Sequence, residues 1–262
     1  MTAASLKTTP ITATAGNACA LGVRDLSVNF GGLQAVAGVG FEAAAGRITS
    51  VIGPNGAGKS TLFNLISGAI RPTGGRVTLD GVDVTGRSPD RLLAAGLARS
   101  FQITNLFFEL PVLENLRIAA QVLERPWHAL RPVGHSRRAL AKADALLERF
   151  GLSAKARELA GNLSHGEQRR LEIAVALAAE PRVLLLDEPT QGMSHGDTAD
   201  TGALIRSLAG DLTVLLIEHD IGLVMSLSDH VVVMAQGRKI AEGPPAVVRA
   251  DLAVQAAYFG HG

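Results

Sequence analysis

Hydrophobic and polar positions fall into three regimes along this chain. From Leu21 to Leu79, short β-type runs (LSVNFGG, GRITSVIG, GGRVTLDG) are separated by glycine-rich turns. One helical stretch lies among them. In KSTLFNLISGAI the apolar residues Leu62, Leu65, Ile66 and Ala69 recur at i, i+3, i+4 and i+7, the spacing of one buried helix face. From Pro111 to Gly161 the pattern turns helical, with VLENLRIAAQVLE and RRALAKADALLERFG joined by a loop that carries RPWHALRPVGHS. Strand signals return in RVLLLD, LTVLLIE and HVVVMAQ, each an unbroken run dominated by Leu and Val. Strands without alternation have no face left for water, so they belong in a parallel sheet covered by helices on both sides. The expected fold is α/β, with a mostly helical insert at about 103–160 interrupting a core made of about 21–102 and 161–262.

Composition narrows this further. Hydrophobic residues make up 47% of the 262 positions but aromatics only 4%, so the core has to be aliphatic. A formal net charge of +1 supplies no electrostatic argument for a nucleic-acid partner, and none is expected. The single cysteine, Cys19, excludes an internal disulfide framework and suits a reducing compartment. No apolar run reaches the roughly 20 residues needed to cross a bilayer. Residues 1–20 hold one Lys and no leucine-rich run, and are expected to form a disordered Thr/Ala-rich tail rather than a secretory leader. Any membrane role must then come through a partner.

Candidate chemistry begins at GPNGAGKST, which matches G-x-x-x-x-G-K-[ST] between the strand RITSVI and a helix. Glycines let the backbone curl so that successive N–H groups point at phosphate oxygens, and the helix adds its unpaired N-terminal donors. The residues concerned are Gly53, Pro54, Asn55, Gly56, Ala57, Gly58, Lys59, Ser60 and Thr61. Lys59 would place a positive charge on the β- and γ-phosphates of a nucleoside triphosphate, and the Ser60 hydroxyl would ligate Mg2+.

A second feature is RVLLLDEPT, an apolar strand that ends in two acids. In open α/β sheets ligands bind at the carboxyl ends of strands, where Asp187 and Glu188 would sit. Neighbours on an extended segment point to opposite sides and can divide the work. Asp187 is placed to hold the metal through a water, and Glu188 to orient or deprotonate the attacking water. His219, just past LTVLLIE, would aim at the γ-phosphate from an adjacent strand end. Gln102, at the edge of the helical insert, would reach the metal or the water and report nucleotide state to the insert.

Two Ser–His pairs, in NLSHGEQRR and MSHGD, invite a hydrolase reading with serine as nucleophile. Ser164 fits a helix N-cap better: a hydroxyl, then Gly166, then the helical EQRRLEIAVALA. Adjacent residues in such a turn do not converge for proton transfer.

Taken together these segments resemble an ATP-binding-cassette (ABC) ATPase, the motor subunit of ABC transporters, over nearly all of the chain after the tail. GPNGAGKST is similar to the family's phosphate loop, LLLDEPT to its Walker B strand, SFQ to its Q-loop, IEHD to its switch histidine and LSHGEQRRLEIAVALA to its signature segment. The resemblance implies a P-loop NTPase (RecA-like) core, an N-terminal antiparallel β-subdomain and an inserted helical subdomain. It implies ATP and Mg2+ as cofactors, and two subunits that sandwich two nucleotides. Ser164, His165, Gly166 and Glu167 would then grip the γ-phosphate held by the facing subunit, and Phe30 would stack on adenine. Many members have glycine where His165 stands and glutamine where Glu167 stands. Ser194 takes the place of an Asp at the dimer interface, and His195 that of a proline, which leaves that cross-subunit contact open.

FGGLQAVAGVGF, PTGGRVTLDG, LARSFQITNLFFELPVLENL and the ending VQAAYFG look like the branched-chain or hydrophobic amino acid uptake subgroup. The linker around Trp127 resembles the longer of that system's two ATPases. Urea and short-amide uptake ATPases are similar in the same places, and an export-type cassette or a soluble ABC ATPase is the alternative from further away. A P-loop kinase or GTPase lacks support, because no Asn-Lys-x-Asp motif is present. The partners implied are integral membrane permeases, a second ATPase subunit and, indirectly, a periplasmic binding protein. The location implied is the cytoplasmic face of the inner membrane. Leu106, Phe107 and Phe108 would either line the groove for a membrane-subunit helix or pack the insert's core.

Overall fold

The structure is a computed structural model and describes residues 19–100, 106–124 and 136–259. The proposed tail, Gln102 and Trp127 lie outside the described residues, apart from Cys19 and Ala20, which open the first strand.

Strands β1 (Cys19–Phe30) and β2 (Leu33–Ala44) form a long antiparallel hairpin. β3 (Ile48–Ile52), buried at every position, leads through the glycine-rich loop into α1 (Lys59–Ile66). α1 ends earlier than its apolar spacing implies. Gly68 turns left-handed (φ 73°) directly beyond its Ser67 cap, so Ala69 is exposed and Phe63 joins Leu62, Leu65 and Ile66 in the buried face. β4 (Gly74–Leu79) and β5 (Val82–Asp83) complete a four-stranded antiparallel sheet in the order β2-β1-β4-β5. The short helix α2 (Pro89–Ala94) precedes β6 (Leu97–Arg99).

Among the described residues three α-helices follow: α3 (Val112–Ala120), α4 (Arg137–Arg149) and α5 (His165–Leu177). Then β7 (Val183–Asp187), α6 (His195–Leu208), β8 (Thr213–Ile217), α7 (Ile221–Leu227) and β9 (His230–Ala235) alternate. The chain closes with β10 (Arg238–Gly243), α8 (Pro245–Ala250) and α9 (Leu252–Phe259). The second sheet runs β10-β9-β3-β8-β7-β6, and all neighbours are parallel except β10 on β9.

Every residue of β3, β7 and β8 is buried, as a sheet covered on both faces requires. One face packs on α1 and the antiparallel sheet through Leu62, Phe63, Leu185, Leu215 and Val232. The other packs on the helices, where Leu116, Leu147, Leu171, Leu184 and Leu216 share a single cluster. A smaller cluster of Ile52, Val224, Val233, Val248 and Val254 binds α7, α8 and α9 to the strand that feeds the glycine-rich loop.

Candidate active site

The sheet sets the site before any side chain does. Register places Val51, Ile217 and Asp187 side by side on β3, β8 and β7. The glycine-rich loop, Glu218–His219 and Glu188 therefore leave three adjacent strands at one edge, with neighbouring strands about 4.8 Å apart.

The loop is held open by backbone packing. Gly58 has φ 95°, and a Cβ there would lie 2.6 Å from the Ala35 carbonyl of β2. Gly237, on the β9–β10 turn, approaches the same carbonyl oxygen from its own side, 2.7 Å from where a Cβ would stand. Ala37 N–H donates to Gly237 O at 2.8 Å and Gly237 N–H to Ala57 O at 3.0 Å, so hairpin, loop and turn are stitched together. Asn55, Gly56 and Ser60 face solvent, Pro54, Gly58 and Thr61 are half-buried, and Gly53, Ala57 and Lys59 are buried. The Lys59 ammonium donates to Gly53 O at 2.8 Å and Pro54 O at 3.2 Å. Burial pulls its pKa below the ordinary 10.5, while Glu188 and then Asp187 oppose the shift by charge attraction. Phe30, paired with Leu33 at the tip of the same hairpin, is 48% exposed and so is not a core residue.

Asp187 closes β7 with 1% of its surface exposed. Its Oδ2 accepts from Arg99 Nη2 at 2.8 Å, and its buried Oδ1 has no partner among the described residues. Glu188 does not continue the extended strand. Its φ of 47° puts it in the left-handed region, a strain of about 1–3 kcal/mol in a residue with a Cβ. The opposed-sides picture of two extended acids is therefore corrected: a backbone turn, not strand alternation, separates the two carboxyl groups. Hydrogen bonds to the backbone hold that turn. Glu188 N–H donates to Ile217 O at 2.9 Å, Gln191 N–H donates to Glu188 O at 3.2 Å, and the Arg169 side chain of α5 donates to Asp187 O at 2.8 Å, Glu188 O at 3.0 Å and Pro189 O at 3.1 Å.

His219 stands past the end of β8 with its side chain 60% exposed. Beneath it Glu218 is fully buried; its Oε1 accepts from Thr190 N–H at 3.0 Å and Thr190 O–H at 2.7 Å, and its Oε2 from His219 N–H at 3.2 Å.

Ser164 caps α5 through a capping box. Its Oγ accepts from Glu167 N–H at 3.3 Å, and Glu167 Oε2 accepts from Ser164 N–H at 2.9 Å. That second bond holds the Glu167 carboxyl below its ordinary range. The His165 ring lies at 3.4 Å from Gln191 O rather than on Ser164. Gly166, the second residue of α5, has Asp197 beside it. Among the described residues and beyond the backbone ladder of α5 itself, the hydrogen bonds and ion pairs of Ser164–Glu167 reach Lys155 and Gln191 and none in the glycine-rich loop. Ser194 is likewise an N-cap, accepting from Asp197 N–H at 3.2 Å, with His195 opening α6.

Arg99, Arg169, Glu218 and Tyr258 were not singled out by sequence reasoning. Each acts across the fold rather than within a motif. Burial pushes the Tyr258 phenol up to about 12, with a Gly53 backbone hydrogen bond working in the opposite direction. The last helix thus touches the first residue of the loop. Among the described residues no three His, Cys, Asp or Glu side chains group to hold a metal. A Mg2+ shared with phosphates needs only one or two protein groups, which the unpartnered Asp187 Oδ1 and the exposed Ser60 hydroxyl can provide.

Comparison with known proteins adds the following. Residues 36–191 match the family model described as "ABC transporter", and residues 238–262 one described as "Branched-chain amino acid ATP-binding cassette transporter". The chain is 42% identical over 252 residues to the high-affinity branched-chain amino acid transport ATP-binding protein BraF of Pseudomonas aeruginosa, covering 92% of this chain and 97% of the relative. A solved ATP-binding cassette of an ABC transporter in its ADP conformation superposes with a TM-score of 0.83 at 33% identity, over 93% of this chain and 99% of that one. A cassette solved as a dimer in a post-hydrolysis state, bound to ADP and Pi, superposes with a TM-score of 0.73 at 26% identity, over 86% and 98%.

Proposed function

The chain belongs to the ABC transporter family of ATP-binding proteins, and on that footing we propose that it is the ATP-hydrolysing motor of an importer for branched-chain amino acids. The cargo follows the relatives and the match of the chain's last segment. The observation that carries the enzymatic part is the level ending of β3, β8 and β7, which brings a phosphate loop, a histidine and a strained acid to one edge.

In this reading the triphosphate lies along the loop, within reach of its N–H groups, with adenine on Phe30. Lys59 leaves the loop carbonyls for the phosphates, a better partner for a buried ammonium. Mg2+, when bound, neutralises charge on the phosphates, with Ser60, Asp187 and Gln102 as its protein-side groups. Glu188 orients and deprotonates the attacking water, and His219 stabilises the charge developing on the γ-phosphate.

Ser164–Glu167 make no hydrogen bond or ion pair with their own chain's phosphate loop, so the start of α5 is left to the nucleotide of a second ATPase subunit. The neighbour solved as a dimer supports that arrangement. ABC ATPases work with membrane permeases, and an apolar cavity of about 350 Å³ lined by Ala69, Leu93, Leu97, Leu106 and Val175 offers a place for a permease helix. Leu106 lines this cavity and packs into the core, whereas Phe107 and Phe108 are exposed and are not among its lining residues. The helical lobe at about 103–160 would pass subdomain rotation to that helix. Among the described residues no helix is long and apolar enough to cross a membrane, so attachment at the cytoplasmic face would come through the permeases. A periplasmic binding protein would deliver the amino acid.

Glu188→Gln tests the chemistry. It should keep ATP binding, lose about 10²–10⁴-fold in turnover and accumulate a closed dimer in size-exclusion chromatography. Normal turnover removes Glu188 from its role. Co-purification with integral membrane proteins, and ATPase activity stimulated by a leucine-loaded binding protein, tests the transport reading; recovery with ribosomes or DNA overturns it.

A further inference from the structure

We infer that Arg99 is a positioning residue for the Asp187 carboxylate, fixing it so that one defined oxygen is left for Mg2+ and tying that oxygen to the helix behind the phosphate loop. The inference rests on the reading of Asp187 as metal-side ligand. Arg99 is the last residue of β6, its side chain 11% exposed. Its Nη2 donates to Asp187 Oδ2 at 2.8 Å. Its Nη1 donates to Asn64 Oδ1 at 2.7 Å and Ser67 Oγ at 2.9 Å, one on α1 and one its C-cap. The guanidinium also lies 6.0 Å from the centroid of the Phe63 ring on the same helix.

Asp187 therefore has two unlike oxygens, Oδ2 committed to Arg99 and Oδ1 buried with no partner among the described residues. Mg2+ demands near-ideal octahedral geometry, so a carboxylate free to swing, or to offer both oxygens, binds it less well. Outer partners that orient a ligating group typically change metal affinity by about 10–100-fold. If Arg99 only neutralised a buried acid, any cation would serve. The planar fork does more: it bonds three acceptors on two elements at fixed angles, which a lysine cannot reproduce. A shift of α1 on nucleotide binding would thus be felt at the metal-holding oxygen, and the reverse.

The test uses the full chain in a Glu188→Gln background, so that nucleotide is not consumed. Fluorescence of an N-methylanthraniloyl-ATP probe gives two quantities: affinity in EDTA, and the Mg2+ concentration for half-maximal enhancement of binding. Arg99→Lys should raise the Mg2+ half-saturation about tenfold and leave metal-free affinity within about twofold. Asn64→Ala with Ser67→Ala keeps Arg99 and Asp187 but loosens the fork, and should raise it in the same direction by less than Arg99→Lys does. An unchanged Mg2+ requirement in a folded Arg99→Lys, or an equal loss of metal-free binding, overturns the inference. If Arg99→Lys does not fold, the Asn64/Ser67 variant decides by the same two readings. Asp187→Asn separates the levels: no change in its Mg2+ requirement removes both the reading of Asp187 and the inference, whereas a change there alone removes only the role of Arg99.

Discussion

Replacing Thr190 with valine probes the buried support under His219. Glu218 has no solvent contact, and both of its oxygens accept from backbone N–H groups, so the 2.7 Å bond from the Thr190 hydroxyl is a hydrogen bond to a carboxylate. Valine has nearly the same shape and lacks only that donor. Water cannot replace it, because Thr190 itself is 7% exposed. Bonds to charged groups contribute about 1.5–3 kcal/mol, so a loss near 2 kcal/mol is expected. At about 2–4 °C per kcal/mol for a chain of this size, Tm should fall about 4–8 °C. Thr190→Ser is the control. It keeps the hydroxyl and loses one methyl, about 0.8 kcal/mol and about 2–3 °C. Thermal melts followed by circular dichroism compare the three proteins. Because Glu218 also accepts the His219 N–H, kcat for ATP should fall in the valine variant while KM holds. A valine variant as stable as the parent, or more stable than the serine one, would refute the idea that the hydroxyl anchors this acid.

Two further outcomes follow from the site. Burial lowers the pKa of Lys59, so in the alkaline window ending near 10.5 the unfolded chain binds more protons than the folded one, and nucleotide-free stability should rise with pH there. Phosphates favour the charged amine, so ATP binding in that window should take up protons, measurable by calorimetry in buffers of different ionisation enthalpy; equal heats across buffers would contradict it. Ser164→Ala should cost about 1 kcal/mol of stability through the lost cap, whereas Ser164→Asp should keep the cap and still fail to dimerise with MgATP in a Glu188→Gln background, by charge repulsion with phosphate. Normal dimerisation of Ser164→Asp would remove Ser164 from the nucleotide interface.

What could be read ahead of the structure were features whose physics is local. The loop glycines, the unbroken strands ending in Asp187 and Ile217, and the Ser164 cap with its helix each carry their reason within about ten residues of chain. β2 escaped because Gly38 and Gly40 are poor strand formers that weaken its local signal although Val39, Phe41 and Ala43 still alternate, and its place comes from pairing with β1 over the whole hairpin. Ala69 was misassigned because spacing alone cannot show that the chain turns at Gly68. Arg99 and Glu218 carry no local signal at all: one arginine at a short strand's end, one acid beside a histidine. Their partners lie 88 and 28 residues away, and only the sheet brings them together. Glu188 shows the same limit in the backbone, since its left-handed turn depends on carbonyls gripped by Arg169 from another helix.

The Ala35 carbonyl wedged between Gly58 and Gly237 bears on how a saturation mutagenesis screen of this protein should be interpreted. Every side chain tried at Gly237 would push the β1–β2 hairpin off the loop and silence transport, although that glycine stands outside the catalytic chemistry. Growth data alone would then draw the catalytic region one turn too wide. Folding yield measured beside activity would tell a lost reagent from a lost fit.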